Sequence, residues 1–214
     1  MRGLPHFLVL VVMVLAGVGR PASVNAAEWV VPPPGYTAKT SLPCELDPVR
    51  AARPARPNQA IYQVCEDQMA LFRQGLDDAK ASGKLLLVTF GATWCPWCAS
   101  LQRHMPGPEL FGRKGDGLDL GRAFHHLEIG LSFVYEGQKE AIPSGDVVLA
   151  LVLARAAGVK LNVIPFLVVI DPANNDRVVA RNLGNVATAN GDFDVAKVRA
   201  VFKDAHDTLR PSGG

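Results

Sequence analysis

Hydrophobic and polar positions in the first half of the chain predict a helix, a strand and a second helix. Apolar residues recur at three- and four-residue steps over residues 59–82, the spacing of an amphipathic helix that Gly83 would end. Residues 84–90 form a short apolar run, typical of a strand buried on both sides. A further helix is predicted over 95–105, ahead of Pro106. The first helix would present an apolar face made of Ile61, Cys65, Met69, Phe72, Leu76 and Ala79.

The middle of the chain is less regular. Residues 107–121 are rich in glycine and are predicted to be irregular. Residues 125–132 alternate in part between apolar and polar positions, which favours the next strand. Residues 146–157 are strongly apolar and predict a helix with Ser144 or Asp146 as its N-cap.

The last part of the chain predicts a hairpin and a closing helix. Residues 166–170 form a second apolar strand, 171–176 a turn, and 177–180 the returning strand. Residues 194–209 have the spacing of an amphipathic helix. Crossover connections followed by a hairpin predict an α/β fold with a central mixed sheet of about four strands and helices on both faces.

The N-terminus has the composition of an export signal. Arg2 precedes an apolar run over residues 7–18, and Val24 and Ala26 are small residues at the positions that a signal peptidase reads. Cleavage after Ala26 would make residues 1–26 a signal peptide and would place the mature protein in the periplasm. The alternative is an uncleaved signal anchor, which would be the protein's one contact with a membrane. The run is shorter than the roughly 20 apolar residues that span a bilayer.

Two further segments follow the signal. Residues 27–58 are rich in proline and arginine without a helical period, and we interpret them as an irregular arm that tethers or wraps the domain. Residues 59–210 would form the folded domain. The net charge of +2 is close to balance, and no cluster of basic residues stands out. We therefore expect no nucleic-acid partner.

Cys95 and Cys98 form a C-x-x-C directly after the predicted buried strand, at the start of a helix. The spacing places both sulfurs on one face of the first turn, where they are close enough to bridge. The unpaired N–H groups and the partial positive charge of a helix N-terminus favour a thiolate, which should lower the pKa of Cys95 and make it the nucleophile. Cys98, one turn deeper, would be the resolving thiol.

The other two cysteines, Cys44 and Cys65, lie upstream. Our preferred interpretation is a structural disulfide that pins the arm to the first helix, because exported proteins keep disulfides. In the chain-entropy model such a loop stabilises by about 3 kcal/mol. Two alternatives stay open: Cys65 as a small apolar core residue, and the two cysteines as a second redox pair.

The segment from Phe90 to Cys98 (FGATWCPWC) resembles the active-site segment of the thioredoxin superfamily, and Val163-Ile164-Pro165 resembles its cis-proline loop. The resemblance covers about residues 60–209 and is strongest to exported bacterial thioredoxin-like proteins. It implies that Cys95 forms the mixed disulfide with substrate and that Cys98 resolves it.

The same resemblance implies the surroundings of the sulfurs. Trp94 would flank the site, and Trp97, between the cysteines, is a further candidate for binding the substrate. Pro165 would be cis and face the sulfurs, and the backbone of Ile164 would pair with an extended substrate peptide.

The chain departs from cytosolic thioredoxins at Thr89. Those proteins carry a buried aspartate six residues ahead of the first cysteine, and a hydroxyl cannot replace that carboxylate as a proton acceptor for Cys98. Glu128, in a predicted strand, is either a substitute acceptor or part of an ion pair at the core edge. Trp97 is also not a usual residue between the cysteines, so the direction of electron flow is not borrowed from thioredoxin.

The sequence therefore predicts an exported thiol-disulfide oxidoreductase that acts on protein thiols or disulfides together with a redox partner protein. Two alternatives remain: a thioredoxin-like protein in which Cys95 and Cys98 bind Cu(I), and a non-catalytic thioredoxin-like binding module. His104, His125 and His126 lack the spacing of metal ligands, so we expect no resident metal and no cofactor.

Overall fold

The computed structural model describes residues 30–36, 62, 66–92, 95–105, 107–115, 117–131, 143–156, 158–174 and 177–211. In chain order these residues form α1 (Gln68–Ala81), β1 (Leu85–Gly91), α2 (Pro96–His104), α3 (Pro108–Phe111), α4 (Leu120–Ala123), β2 (Phe124–Gly130), α5 (Pro143–Arg155), β3 (Phe166–Asp171), β4 (Arg177–Asn182) and α6 (Val195–Leu209). A short 3₁₀ helix, Gly184–Val186, lies between β4 and α6.

The four strands form one mixed sheet in the order β2-β1-β3-β4. β1 runs parallel to β2 and antiparallel to β3, and β3 forms an antiparallel hairpin with β4. Every residue of β1 is buried, as its near-continuous apolar run predicts for a central strand. The predicted α/β class and the mixed four-stranded sheet are confirmed.

Alternate residues of β1 belong to two different cores, because successive side chains of a strand point to opposite faces. Leu86 and Val88 pack with apolar residues of α1 and α5 on one face. Leu85 and Leu87 pack with apolar residues of α2 and α6 on the other. Helices therefore cover both faces, as predicted, and this sheet order with this helix placement is that of the thioredoxin-like fold.

α1 begins at Gln68, later than the predicted residue 59. Asp67 sets this start, because its side chain accepts a hydrogen bond from the backbone amide of Met69 at 3.0 Å, the N-cap arrangement. The predicted apolar face is buried from Met69 onward, and Tyr62 lies outside any helix. The prediction of a helix over residues 59–67 is therefore wrong for the residues of that range that the structure describes.

α5 begins at Pro143, ahead of both predicted N-caps, so Ser144 and Asp146 lie inside its first turns. Ser144 is fully buried, and its hydroxyl accepts a hydrogen bond from the backbone amide of Gln68 at 3.3 Å. The Ser144 hydroxyl, which the sequence predicted as an N-cap, therefore forms a tertiary hydrogen bond with α1 instead.

Residues 107–121 contain two short helices where an irregular segment was predicted. Asp119 caps α4, with its carboxylate accepting a backbone hydrogen bond. Leu110 of α3 and Leu120 of α4 are fully buried in the core beneath α6. Burying these two leucines stabilises helical turns that the glycine content alone disfavours.

The remaining elements match their predictions closely. α2 and α6 begin and end within one residue of the predicted bounds. The predicted hairpin is confirmed, and β4 continues past Ala180 to Asn182 because it stays paired with β3 as far as Phe166. β2 begins at Phe124, one residue before its predicted start.

The described part of the predicted arm, residues 30–36, packs against α1. Val30 is fully buried in the core that α1 contributes to. The Arg73 guanidinium donates two hydrogen bonds to the Val30 carbonyl, at 3.0 and 2.6 Å. The Tyr36 hydroxyl donates to the Asp67 carboxylate at 2.7 Å, and burial together with this carboxylate raises the pKa of Tyr36 to about 12.

Several predictions fall on residues outside the described ranges. They concern the signal peptide over 1–26, most of the arm over 27–58, the Cys44–Cys65 disulfide and the placement of Trp94. Within the described ranges, no helix has the length and apolar character needed to cross a membrane.

Candidate active site

Cys95 and Cys98 lie where β1 ends and α2 begins. Cys95 is the N-cap of α2, Pro96 follows in the first turn, and a disulfide joins Cys95 to Cys98. Proline fits this position because first-turn N–H groups have no helical partner. Both cysteines are almost completely buried, at 2% and 1% exposure. The predicted placement of the pair at a helix N-terminus is confirmed.

The backbone of α2 favours negative charge on Cys95. The amide of Cys98 donates a hydrogen bond to Cys95 Sγ at 3.1 Å, so the sulfur takes the place that an oxygen holds in an ordinary N-cap. When the disulfide is reduced, the same N–H and the positive end of the helix stabilise a thiolate at this position. This environment favours a thiolate at Cys95, while its role as the nucleophile stays a prediction.

The loop ahead of β3 faces the sulfurs. The Ile164–Pro165 peptide bond is cis, which confirms the prediction made for it. The carbonyl oxygen of Ile164 lies 3.8 Å from Cys95 Sγ, and Ile164 packs against the cluster that holds both cysteines. Val163, one residue earlier, is an apolar side chain with 40% exposure. The loop thus places a main-chain carbonyl beside the disulfide and an exposed apolar side chain one residue earlier.

Trp97 lies between the two cysteines in the first turn of α2. It is partly buried, and its ring packs edge-on against Phe193 with 5.6 Å between the ring centroids. Trp97 and Ile164 pack against the cluster that holds Cys95 and Cys98, and Pro165 follows Ile164 in the chain. Their contacts with a substrate remain a prediction.

Tyr62 closes the site from the other side. It is 1% exposed and packs in one cluster with Ala92, Cys95, Cys98 and Ala99. Its hydroxyl and Cys98 Sγ each lie within 3.0 Å of the point that a Cβ on Gly91 would occupy. Burial and the charge of Glu128 raise the pKa of Tyr62 well above its ordinary value, so its hydroxyl keeps its proton.

Sequence reasoning did not single out Tyr62. The available signal was Gly91, since a glycine inside an apolar strand marks a close approach by another group.

Thr89 holds the strand position where cytosolic thioredoxins carry a carboxylate. It is buried, and its hydroxyl lies 3.0 Å from His126 Nε2 on β2. Burial and the charge of His125 lower the pKa of His126 to about 4, so its imidazole is neutral at neutral pH. A neutral hydroxyl–imidazole pair therefore replaces the carboxylate here, and Glu128 lies directly across from Thr89 in the strand register.

Asp192 fixes the buried side of α2. Its carboxylate is hydrogen-bonded to the Ser100 hydroxyl, to His104 Nε2 at 2.9 Å and to the backbone amide of Phe193 at 2.8 Å. These bonds, that of Ser100 first, hold the pKa of Asp192 well below its usual range. His104 thus has a structural partner, in line with the sequence interpretation. Asp192 itself was missed, because its partners are distant in sequence.

Within the described ranges, no group of three or more His, Cys, Asp or Glu side chains is arranged to hold a metal ion.

The four-stranded sheet, a disulfide at the start of α2 and a cis-proline facing it define a protein with the thioredoxin-like fold. In comparisons with known proteins, no family model matches the chain and no curated protein matches its sequence. A solved structure, the disulphide isomerase from Xylella fastidiosa Temecula1, is similar with a TM-score of 0.43 and 20% sequence identity. The match covers 68% of this chain and 95% of that chain.

Proposed function

We propose that the protein is a thiol-disulfide oxidoreductase whose Cys95–Cys98 pair exchanges electrons with the thiols or disulfides of other proteins. One observation carries the proposal: the disulfide opens helix α2, with Cys95 Sγ bonded by a helix amide on one side and facing the Ile164 carbonyl on the other. A purely structural disulfide requires neither a thiolate-stabilising N-cap nor a substrate-facing loop.

The reaction runs through a mixed disulfide in either direction. In the reducing direction the Cys95 thiolate attacks a substrate disulfide, and one substrate sulfur leaves as a thiolate. Cys98, as a thiolate, then attacks Cys95 Sγ, so the Cys95–Cys98 bond forms and the second substrate thiolate leaves. The enzyme pair loses two electrons and the substrate disulfide gains them; the oxidising direction reverses each step.

The surroundings of Cys95 fit an extended peptide. The exposed Val163 and the main chain of Ile164 provide an apolar contact and hydrogen-bonding groups beside the sulfur. Trp97 lies in the first turn of α2 and packs against the cluster that holds Cys95, and Trp94 precedes it in sequence. Main-chain pairing would accept many sequences, as expected for an enzyme whose substrates are protein cysteines.

The proposal includes the location and partners of the protein. The apolar run and small residues of 1–26 support export to the periplasm, where disulfides persist, with a redox partner protein that recycles the Cys95–Cys98 pair. The Cys44–Cys65 disulfide is part of the same proposal. Sequencing the N-terminus of protein from a periplasmic fraction tests the export step, with Ala27 as the expected first residue.

Reduction of insulin by the dithiothreitol-reduced protein tests the chemistry. We expect turnover by the wild type and none by Cys95→Ser, with both proteins folded. Cys98→Ser should instead accumulate a mixed disulfide, because the resolving thiol is gone. Full activity of Cys95→Ser would overturn the proposal, as would tight Cu(I) binding by a wild type that shows no activity on insulin.

A further inference from the structure

The proposed reaction leaves one proton without an acceptor. Cys98 must become a thiolate to resolve the mixed disulfide, yet it is only 1% exposed, and burial disfavours a charged sulfur. Thr89, which precedes the contact residue Gly91 on the same face of β1, has a hydroxyl that is not a base and is already bonded to His126. A proton route to Cys98 must therefore come from another part of the fold.

Tyr62 reaches Cys98 through the space that Gly91 leaves open. A Cβ on Gly91 would lie 2.7 Å from Cys98 Sγ and would overlap the Tyr62 hydroxyl. The hydroxyl and the sulfur therefore converge on the same point, in a cluster that is closed to solvent. A phenol at this place can accept a proton from the thiol while it donates its own to a further group.

Glu128 is the carboxylate on that same face of the sheet. β1 and β2 are parallel, with Thr89 opposite Glu128 and Gly91 opposite Gly130. The Thr89–His126 contact shows which face these side chains share, since residues two apart on a strand point the same way. The Tyr62 hydroxyl occupies the side-chain position of Gly91, so it lies on the face of Glu128, two residues along the strand from the residue opposite Glu128. The effect of Glu128 on the pKa of Tyr62 agrees with this placement.

We propose that Tyr62 and Glu128 form the route by which Cys98 loses its proton in the resolving step, an inference that rests on the proposed function. The Cys98 thiol gives its proton to Tyr62 Oη as the Tyr62 hydroxyl proton passes to the Glu128 carboxylate. The Cys98 thiolate then attacks Cys95 Sγ, the Cys95–Cys98 bond forms, and the substrate thiolate leaves. The protonated Glu128 returns its proton to water or to the departing thiolate.

Among the described residues, the titratable groups of this face include Tyr62, Cys95, Cys98, His126 and Glu128, with His125 acting on His126 through its charge. Helix α2, which carries Cys98, adds Arg103 and His104, and both lie against the Asp192 carboxylate. Arg199 and His206 of α6 lie elsewhere, over the carbonyls of residues 110–118 and against the Phe124 ring. Because His126 titrates near 4, the pH dependence of resolution above neutrality reports on Cys98, Tyr62 and Glu128.

Reaction with dithiobis(nitrobenzoate) separates the two steps in the reduced, full-length protein, with Cys44→Ser and Cys65→Ser in every sample so that Cys95 and Cys98 are the thiols that react. Attack by Cys95 releases a first coloured thiolate, and resolution by Cys98 releases a second. We expect Tyr62→Phe and Glu128→Gln to slow the second release about tenfold or more at neutral pH and to leave the first within about twofold. The pH of half-maximal resolution should rise in both variants toward the ordinary thiol value of about 8.5. The double variant should be no slower than the slower single variant, because both residues serve one route.

Tyr36→Phe is the matched control. It removes the same hydroxyl from a tyrosine bonded to Asp67, away from the cysteines, and both releases should stay at the wild-type rate. Wild-type resolution rates at every pH in both Tyr62→Phe and Glu128→Gln would overturn the route, and a slow Glu128→Gln with an unaffected Tyr62→Phe would overturn the part of Tyr62. If Tyr62→Phe does not fold, Glu128→Gln alone decides. Failure of the proposed function is a separate result: the wild type would then reduce no insulin, whatever its rates of thiolate release.

Discussion

Gly91 and Cys98 are in direct contact where the end of β1 meets the first turn of α2. A Cβ on Gly91 would lie 2.7 Å from Cys98 Sγ, closer than real Cβ atoms come to other heavy atoms. Glycine is therefore needed here for close approach and not for an unusual backbone angle, because Gly91 is not among the glycines with positive φ.

Gly91→Ala should therefore destabilise the oxidised protein. An added methyl group in a filled core forces its neighbours to move, and we expect the free energy of unfolding to fall by about 1–3 kcal/mol. Urea unfolding of the oxidised protein measures the change. Gly115→Ala is the matched control, since Gly115 is exposed and its Cβ would meet nothing within 4 Å. Equal unfolding midpoints for the two variants would contradict the contact between Gly91 and Cys98.

His126 makes stability depend on pH between about 4 and 6.5. Its pKa is lowered to about 4 from the ordinary 6.5, by burial first and by the charge of His125 second. As the pH falls through 6.5 the unfolded chain binds a proton that the folded protein does not bind until about pH 4, so stability is lost across that window as the solution becomes more acidic.

His126→Gln removes this proton from both states. We expect the wild type to lose up to about 3 kcal/mol more than the variant when urea unfolding is compared at about pH 7.5 and about pH 4. The variant should also be less stable at the higher pH, because Thr89 loses its original partner. Parallel pH dependences for the two proteins would contradict the lowered pKa.

Much of the fold followed from local pattern. The apolar run of β1, the strand–helix placement of Cys95 and Cys98, and the hairpin after Pro165 each depend on residues close together in sequence. The predicted starts of two helices were wrong for different reasons. α5 starts earlier than predicted, and its Ser144 bonds to the amide of Gln68, a contact distant in sequence. α1 starts later than predicted because Asp67 is its cap, a local contact that the apolar period does not mark.

The residues of the candidate site also fall into those that the local sequence predicts and those that it does not. The cysteines and the cis-proline were predicted because the motif and the resemblance name them directly. Tyr62 and Asp192 were not, since neither belongs to a periodic pattern and each acts on a partner far away in the chain. The Asp192 carboxylate is hydrogen-bonded to Ser100, although the two residues are ninety-two positions apart in the chain. No sequence motif spans such a separation.

Asp192→Asn should loosen the attachment of α2. The carboxylate holds Ser100, His104 and the Phe193 amide, and its loss should lower the free energy of unfolding by about 1–2 kcal/mol near neutral pH. Because the folded-state pKa is depressed, this stabilisation is present above the unfolded value of 3.8 and is lost as pH falls below it. Urea unfolding at about pH 7 and about pH 3 should therefore show the difference between variant and wild type shrinking in acid.

Asp204→Asn is the control for that comparison. Asp204 is exposed and pairs with Arg181 at 2.7 Å on the surface, where an ion pair contributes about 0–1 kcal/mol. A loss of stability for Asp192→Asn no larger than that of Asp204→Asn would show that the Asp192 cluster does not hold α2 in place.

The contact between the N-terminal arm and α1 predicts opposite behaviour for two adjacent valines. Val30 is fully buried against α1, while Val31 is 61% exposed. Removing two methyl groups from Val30 leaves a cavity, so we expect Val30→Ala to lower the free energy of unfolding by about 1–3 kcal/mol. Val31→Ala makes the same chemical change at the surface and should shift it by no more than about 0.5 kcal/mol. Urea unfolding of the two full-length variants compares them directly. If both match the wild type, the arm is a tether that contributes nothing to the fold, and the Arg73–Val30 hydrogen bonds do not persist in solution.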